Sequence, residues 1–106
     1  MPVATPTLLQ ITVRHAAGTA LVALEGELDL ASAPQLDETL EELGDRPVIV
    51  DLRGLDYCDS VGLRLLVRRD AEAQEHGRRV AVVPGRAPAV ERVFELTDAH
   101  RKLLVV

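Results

Sequence analysis

The chain alternates short, β-branched apolar runs with segments whose apolar residues recur every three or four positions, and glycine or proline stands at most of the junctions. Leu8-Leu9-Gln10-Ile11-Thr12-Val13 predicts a first strand, and Ala20-Leu21-Val22-Ala23-Leu24-Glu25-Gly26 a second, with His15 to Thr19 as the turn of an antiparallel hairpin. Ser32-Ala33-Pro34-Gln35 reads as a helix start, with Ser32 as N-cap, Pro34 in the first turn and Gln35 completing a capping box. Ala33, Leu36, Leu40 and Leu43 then share one face, Asp37, Glu38, Glu41 and Glu42 crowd the other as solvated surface, and Gly44 ends the helix. Pro47-Val48-Ile49-Val50-Asp51-Leu52 predicts a buried third strand bounded by Pro47 and by Arg53-Gly54. Beyond it, Leu63, Leu66 and Val67 recur at helical spacing, while Arg64, Arg68, Arg69, Glu72 and Glu75 fall mostly elsewhere, up to Gly77. Arg79 to Val83 forms a further strand, Pro88 opens a third helix with Val90, Val93, Phe94 and Leu96 on its apolar side, and Leu103 to Val106 closes the sheet.

The order β-β-α-β-α-β-α-β implies an α/β fold whose sheet is at least partly parallel, because βαβ crossovers join parallel strands. Its 106 residues fit a single domain over residues 8–106, after a proline- and threonine-bearing leader at 1–7 with no periodic pattern. Aromatic residues are only 2% of the chain, so the core is aliphatic and base-stacking nucleic-acid modules are excluded. Twelve basic against 17 acidic residues leave a net charge of −5, which repels phosphate backbones and anionic membranes and suits a basic partner surface. A lone cysteine, Cys58, permits no internal disulfide and no cysteine-based zinc cluster, and with no signal-peptide pattern or membrane-length apolar run the cytoplasm is the expected location. A monomer is expected, since no long heptad appears.

The stretch that carries candidate chemistry is Asp56-Tyr57-Cys58-Asp59-Ser60-Val61-Gly62-Leu63, where a strand turns into a helix. Ser60 falls at or beside the helix N-cap, where backbone N–H groups lack intrahelical partners and the peptide dipoles add about half a positive charge. Spacing alone supports a capping serine, worth about 1 kcal/mol. Gly62 either eases the turn or lets a partner's backbone approach Ser60. Asp59 is either a second cap or part of a recognition surface, and Asp29 either solvates its loop or is the acidic neighbour of Ser60. Cys58 has no adjacent base and reads as an inert core thiol. His15, His76 and His100, in a predicted turn, a helix end and a late loop, show no paired ligand spacing, so neither a metal site nor a cofactor is expected.

Three blocks in order resemble the STAS domains, and in particular bacterial anti-sigma factor antagonists of the sporulation and general stress type. They are Leu24-Glu25-Gly26-Glu27-Leu28-Asp29, Val48-Ile49-Val50-Asp51-Leu52 through Asp59-Ser60-Val61-Gly62-Leu63, and Pro88-Ala89-Val90-Glu91-Arg92-Val93-Phe94. The resemblance implies a mixed sheet of four to five strands covered by three to four helices, with no active site of its own. It implies phosphorylation of Ser60, the serine after the aspartate of the Asp-Ser-x-Gly motif, by a partner that is both anti-sigma factor and serine kinase. The unphosphorylated protein then binds the anti-sigma factor and frees the sigma factor, phosphorylation ends this, and a phosphatase restores it. Asp29, Asp59, Ser60, Val61 and Gly62 are the expected partner-binding residues. Val61 departs from the commonest motif by replacing a second small hydroxyl residue, which leaves one acceptor.

From the residues themselves, a phosphate adds about −1.5 to −2 charge beside Asp59 and Asp29, so a partner matched to neutral Ser60 meets repulsion. The alternative within the fold is a constitutive STAS subunit of a transport complex or a sensory scaffold, in which Ser60 only caps. A hydrolase reading lacks the Gly-x-Ser-x-Gly pattern, because Cys58 stands at the first glycine position, and lacks a base.

Overall fold

The computed structural model describes residues 9–106; the leader expected at residues 1–7 and the Leu8 start of the first strand lie outside the described residues. The elements run β1 (Gln10–Ala16), β2 (Thr19–Leu28), α1 (Ala33–Leu43), β3 (Val48–Cys58), α2 (Ser60–Gln74), β4 (Val80–Val83), α3 (Pro88–Leu96), α4 (Ala99–Lys102) and β5 (Leu104–Val105). They form one five-stranded sheet in the order β1-β2-β3-β4-β5, with β1 antiparallel to β2 and every later pair parallel. The mixed α/β architecture is the expected one, with five strands and four helices.

Alternation along the strands selects the core. Val22, Leu24, Val50, Leu52 and Val82 are at most 1% exposed, and they form one cluster with Leu36, Leu63, Leu66, Val90 and Ala99 from the helices. Burying these aliphatic side chains, at about 1.5 to 3 kcal/mol for each large one, is the main force that holds helices to sheet. The predicted apolar face of α1, Ala33, Leu36, Leu40 and Leu43, is the buried one. Its acidic face is not all plain solvated surface as expected. Asp37 and Glu41 receive Arg69 of α2 at 2.7 and 2.8 Å, so two of the four carboxylates clasp the helices together.

Several boundaries differ from the sequence expectation. The hairpin turn is tighter, since β1 runs to Ala16 and places His15 in a strand, paired with Ala20. His100 lies in α4, an additional four-residue helix, and its Nδ1 sits 3.0 Å from the Thr97 carbonyl oxygen. The capping box at Ser32 is absent. The Ser32 hydroxyl instead donates to the Glu27 carbonyl at 2.8 Å and accepts from the Asp29 N–H at 2.9 Å, while the Gln35 amide donates to the Leu9 carbonyl. Both side chains face the preceding chain, so they stitch α1 to its approach rather than satisfy its first turn.

The largest difference decides the site. Arg53-Gly54 does not end β3, which continues to Cys58 alongside a β2 that reaches Leu28. The ladder survives through two register shifts at which β3 carries one residue more than β2, between Asp51 and Gly54 opposite Ala23 and Glu25, and between Leu55 and Tyr57 opposite Gly26 and Glu27. A Cβ on Gly54 would lie 2.5 Å from the Leu24 carbonyl oxygen, so the bare backbone there permits the close approach.

Candidate functional site

Because β2 and β3 end in register, with Leu28 opposite Cys58, Asp29 and Asp59 leave the sheet side by side. The Asp59 N–H donates to the Leu28 carbonyl at 3.1 Å and pins the two strand ends together. Two turns then diverge. Asp29 Oδ1 accepts from the N–H groups of Ala31 and Ser32, both at 3.0 Å, and bends the chain into α1.

Asp59 is the N-cap of α2. Its backbone is extended, Oδ1 accepts from the Gly62 N–H at 3.1 Å, and Oδ2 accepts from the Leu30 N–H at 3.0 Å. One carboxylate thus holds the helix start and the loop after β2 in a fixed relation. Ser60 follows as the first helical residue, so the structure assigns the cap to Asp59 and not to Ser60. The half-buried Ser60 side chain makes no hydrogen bond to any described residue. Its hydroxyl is free at the mouth of the α2 N-terminus.

The requirement for glycine at 62 is internal. The residue is buried, and a Cβ there would lie 2.5 Å from Leu28 Cγ and 2.8 Å from Cδ2, so its bareness lets α2 seat against the end of β2. Val61 is half-buried and lines a shallow groove with Leu30, Ala33, Pro34 and Leu65, edged by Arg64 and Arg68. Leu30, 70% exposed between Asp29 and the start of α1, was not singled out from the sequence. The available signal was an apolar side chain in a stretch otherwise built of turn formers.

Cys58 lies beneath this surface, 2% exposed, with its thiol donating to the Asp59 carbonyl at 3.3 Å. Burial first, and then the charges of Asp59 and Asp29, push its pKa up to about 12. It is a thiol rather than a thiolate at neutral pH, hence neither a nucleophile nor a metal ligand. Among the described residues no histidine lies within hydrogen-bond distance of the Ser60 hydroxyl; His100 instead meets the carbonyl oxygens of Phe94 and Thr97. Among the described residues, no helix is long and apolar enough to cross a membrane.

A family model described as Mlab, STAS domain matches residues 11–106. An anti-sigma-B factor antagonist of Staphylococcus aureus is 32% identical over 79 residues, which cover 72% of this chain and 72% of that protein. Among solved structures, an anti-sigma factor antagonist from Mycobacterium paratuberculosis superposes with a TM-score of 0.83 at 24% identity, over 97% of this chain and 89% of that one. SpoIIAA in its unphosphorylated form gives 0.75 at 20% identity, over 92% and 88%. Bacillus SpoIIAA in its phosphorylated form gives 0.66 at 18%, over 92% and 91%. At these identities the solved structures establish a shared fold. The curated relative is named for a regulatory role, not an enzymatic one.

Proposed function

The chain belongs to the STAS domain family, and from that premise we propose that it is an anti-sigma factor antagonist switched by phosphorylation of Ser60. The observation that carries this reading is the division of labour at the start of α2. Asp59 performs the capping, and the neighbouring hydroxyl is left free and accessible. A serine needed for the cap would lose its structural role on modification; this one would not.

In its unphosphorylated form the protein binds an anti-sigma factor that is also a serine kinase, and so releases a sigma factor. The contact surface comprises Asp29, Asp59, Ser60 and Val61, with Gly62 supporting them from below. Phosphorylation puts about −1.5 to −2 charge beside Asp29 and Asp59, whose carboxylates are held in place by backbone N–H groups. A partner surface matched to the neutral hydroxyl then meets like charge and uncompensated desolvation. The fold itself need not move. A phosphatase reverses the switch, and Val61 leaves it a single hydroxyl to act on.

Incubation with the cognate kinase and ATP, followed by mass spectrometry, should place one phosphate on Ser60; a phosphate elsewhere, or none, contradicts the proposal. Ser60→Asp should weaken binding to the anti-sigma factor by about tenfold or more, about 1.4 kcal/mol, while Ser60→Ala binds as the unmodified protein does. Equal affinities for the two variants, or co-purification with an ATP-binding-cassette transporter in place of a kinase, would move the assignment to a constitutive transport subunit.

A further inference from the structure

Five arginines of the described chain, Arg53, Arg68, Arg69, Arg78 and Arg79, have a carboxylate within salt-bridge distance, on Asp51, Asp37, Glu41, Asp45 and Asp70 among others.

 On α2, Arg68 and Arg69 are both paired, and Arg64 is the one arginine without an acidic partner among the described residues. Its position gives that freedom a use. Ser60 is the first residue of α2 and Arg64 stands one turn later, a spacing at which helical side chains are neighbours. Long side chains on a helix lean toward its N-terminus, so the turn that carries the Ser60 hydroxyl is within the guanidinium's reach.

Neither Asp29 nor Asp59 lies within salt-bridge distance of it. Both oxygens of Asp59 hold backbone N–H groups, of Gly62 and Leu30, and Asp29 Oδ1 holds those of Ala31 and Ser32. Arg64 is exposed and edges two grooves, one with Leu30, Val61 and Leu65 and the other with Leu96 and Lys102, so several side-chain positions are open to it. A phosphate on Ser60 would supply what this guanidinium lacks, a dianionic acceptor with oxygens spaced for a bidentate pair.

We propose that Arg64 receives the phosphoryl group of phospho-Ser60, making the chain its own phosphate-binding site. This rests on Ser60 being the modified residue. The phosphate then acts twice: it adds charge at the mouth, and it draws the one unpaired cation of α2 away from the groove beside Leu30. A partner that uses an acidic group to meet Arg64 in the unmodified protein loses that contact at the same time as it meets the phosphate.

The test needs no kinase. The full chain is made with phosphoserine incorporated at position 60 during translation, and the second phosphate ionisation is followed by phosphorus NMR against pH. The apparent pKa should lie about half a unit lower in the otherwise unaltered chain than in Arg64→Gln. Arg64→Lys should recover part of that difference, and Arg68→Gln, two turns from Ser60, should leave the value unchanged. Coincident titrations for the parent chain and Arg64→Gln overturn the proposal, as does an equal displacement by Arg68→Gln, which would reduce the effect to general surface charge. A displaced pKa together with a Ser60 that no kinase modifies would sink the regulatory reading while leaving the Arg64 assignment standing.

Discussion

Helix α2 carries an aspartate near each end, and the two are used in opposite ways. Asp70 is 1% exposed and fully engaged: Oδ1 accepts from the Val80 N–H at 2.8 Å and from Arg79 Nε at 2.9 Å, and Oδ2 from Arg79 Nη2 at 3.1 Å and Gln74 Nε2 at 3.0 Å. It fastens the helix to the start of β4. Asp59, half-buried, takes one donor on each oxygen and joins the helix start to the loop after β2. A buried carboxylate with four donors leaves its neighbourhood closed to chemistry, whereas the N-cap carboxylate holds its frame and leaves the adjacent Ser60 hydroxyl open. Rigidity and availability are thus divided between the two ends of one helix.

The sharpest way to break this contrast is at the closed end. Asp70→Ala strands the buried Val80 N–H, leaves the Gln74 amide without its partner and returns the Arg79 guanidinium to water, and should cost about 3 kcal/mol in urea unfolding. A loss below about 1 kcal/mol would show that Asp70 is not the anchor described. At the open end, Gly62→Ala forces a methyl group onto Leu28 and should cost about 2 kcal/mol. Leu28→Ala makes room for it, so the double variant should be more stable than the two separate losses added together predict; strict additivity would remove the steric explanation.

Cys58 provides a test by pH. Its pKa is raised from 9.0 to about 12, so above pH 9 the unfolded chain sheds a proton that the folded chain keeps. Stability should therefore fall as pH rises from 9 toward about 12, by at most about 1.4 kcal/mol per pH unit from this group. Subtracting the profile of Cys58→Ala should isolate that slope, and parallel profiles would mean the thiol is not held neutral by the fold. The smallest effects separate cap from hydroxyl. Asp59→Ala should lose about 1 kcal/mol of thermal or urea stability, and Ser60→Ala less than about 0.5. The reverse order would return the cap to Ser60.

How legible these features were depends on how far apart the contributing residues lie. The buried face of α1, the turn from β3 into α2 and the start of α3 at Pro88 all follow from periodicity and breakers within a few residues of each other. Ser32 and Gln35 have the spacing of a capping box, yet Glu27, Asp29 and Leu9 outcompete the first turn for them, and Leu9, 26 positions from Gln35, lies beyond any local pattern. Arg53-Gly54 looks like a stop because in isolation it is a turn signal; only the approach of Leu24 reveals a strand crossing a tight place. Asp70 was invisible as an anchor, since a single acid on an amphipathic helix has no signature until β4 is brought beside it. The same holds for the groove under Leu30, whose walls come from two helices and a loop.

By itself the sequence determined the kinds of element, their order, the aliphatic character of the core and the Asp59-Ser60-Val61-Gly62 block at a strand-to-helix turn, because propensity, periodicity and turn chemistry act over a few residues. The tertiary structure decided where the strands end relative to one another. That register, with Leu28 beside Cys58, places the Asp59 carboxylate between the N–H groups of Leu30 and Gly62 and so releases the serine from capping. Two segments about thirty positions apart must pair before that carboxylate has both its donors, and no local pattern carries the information.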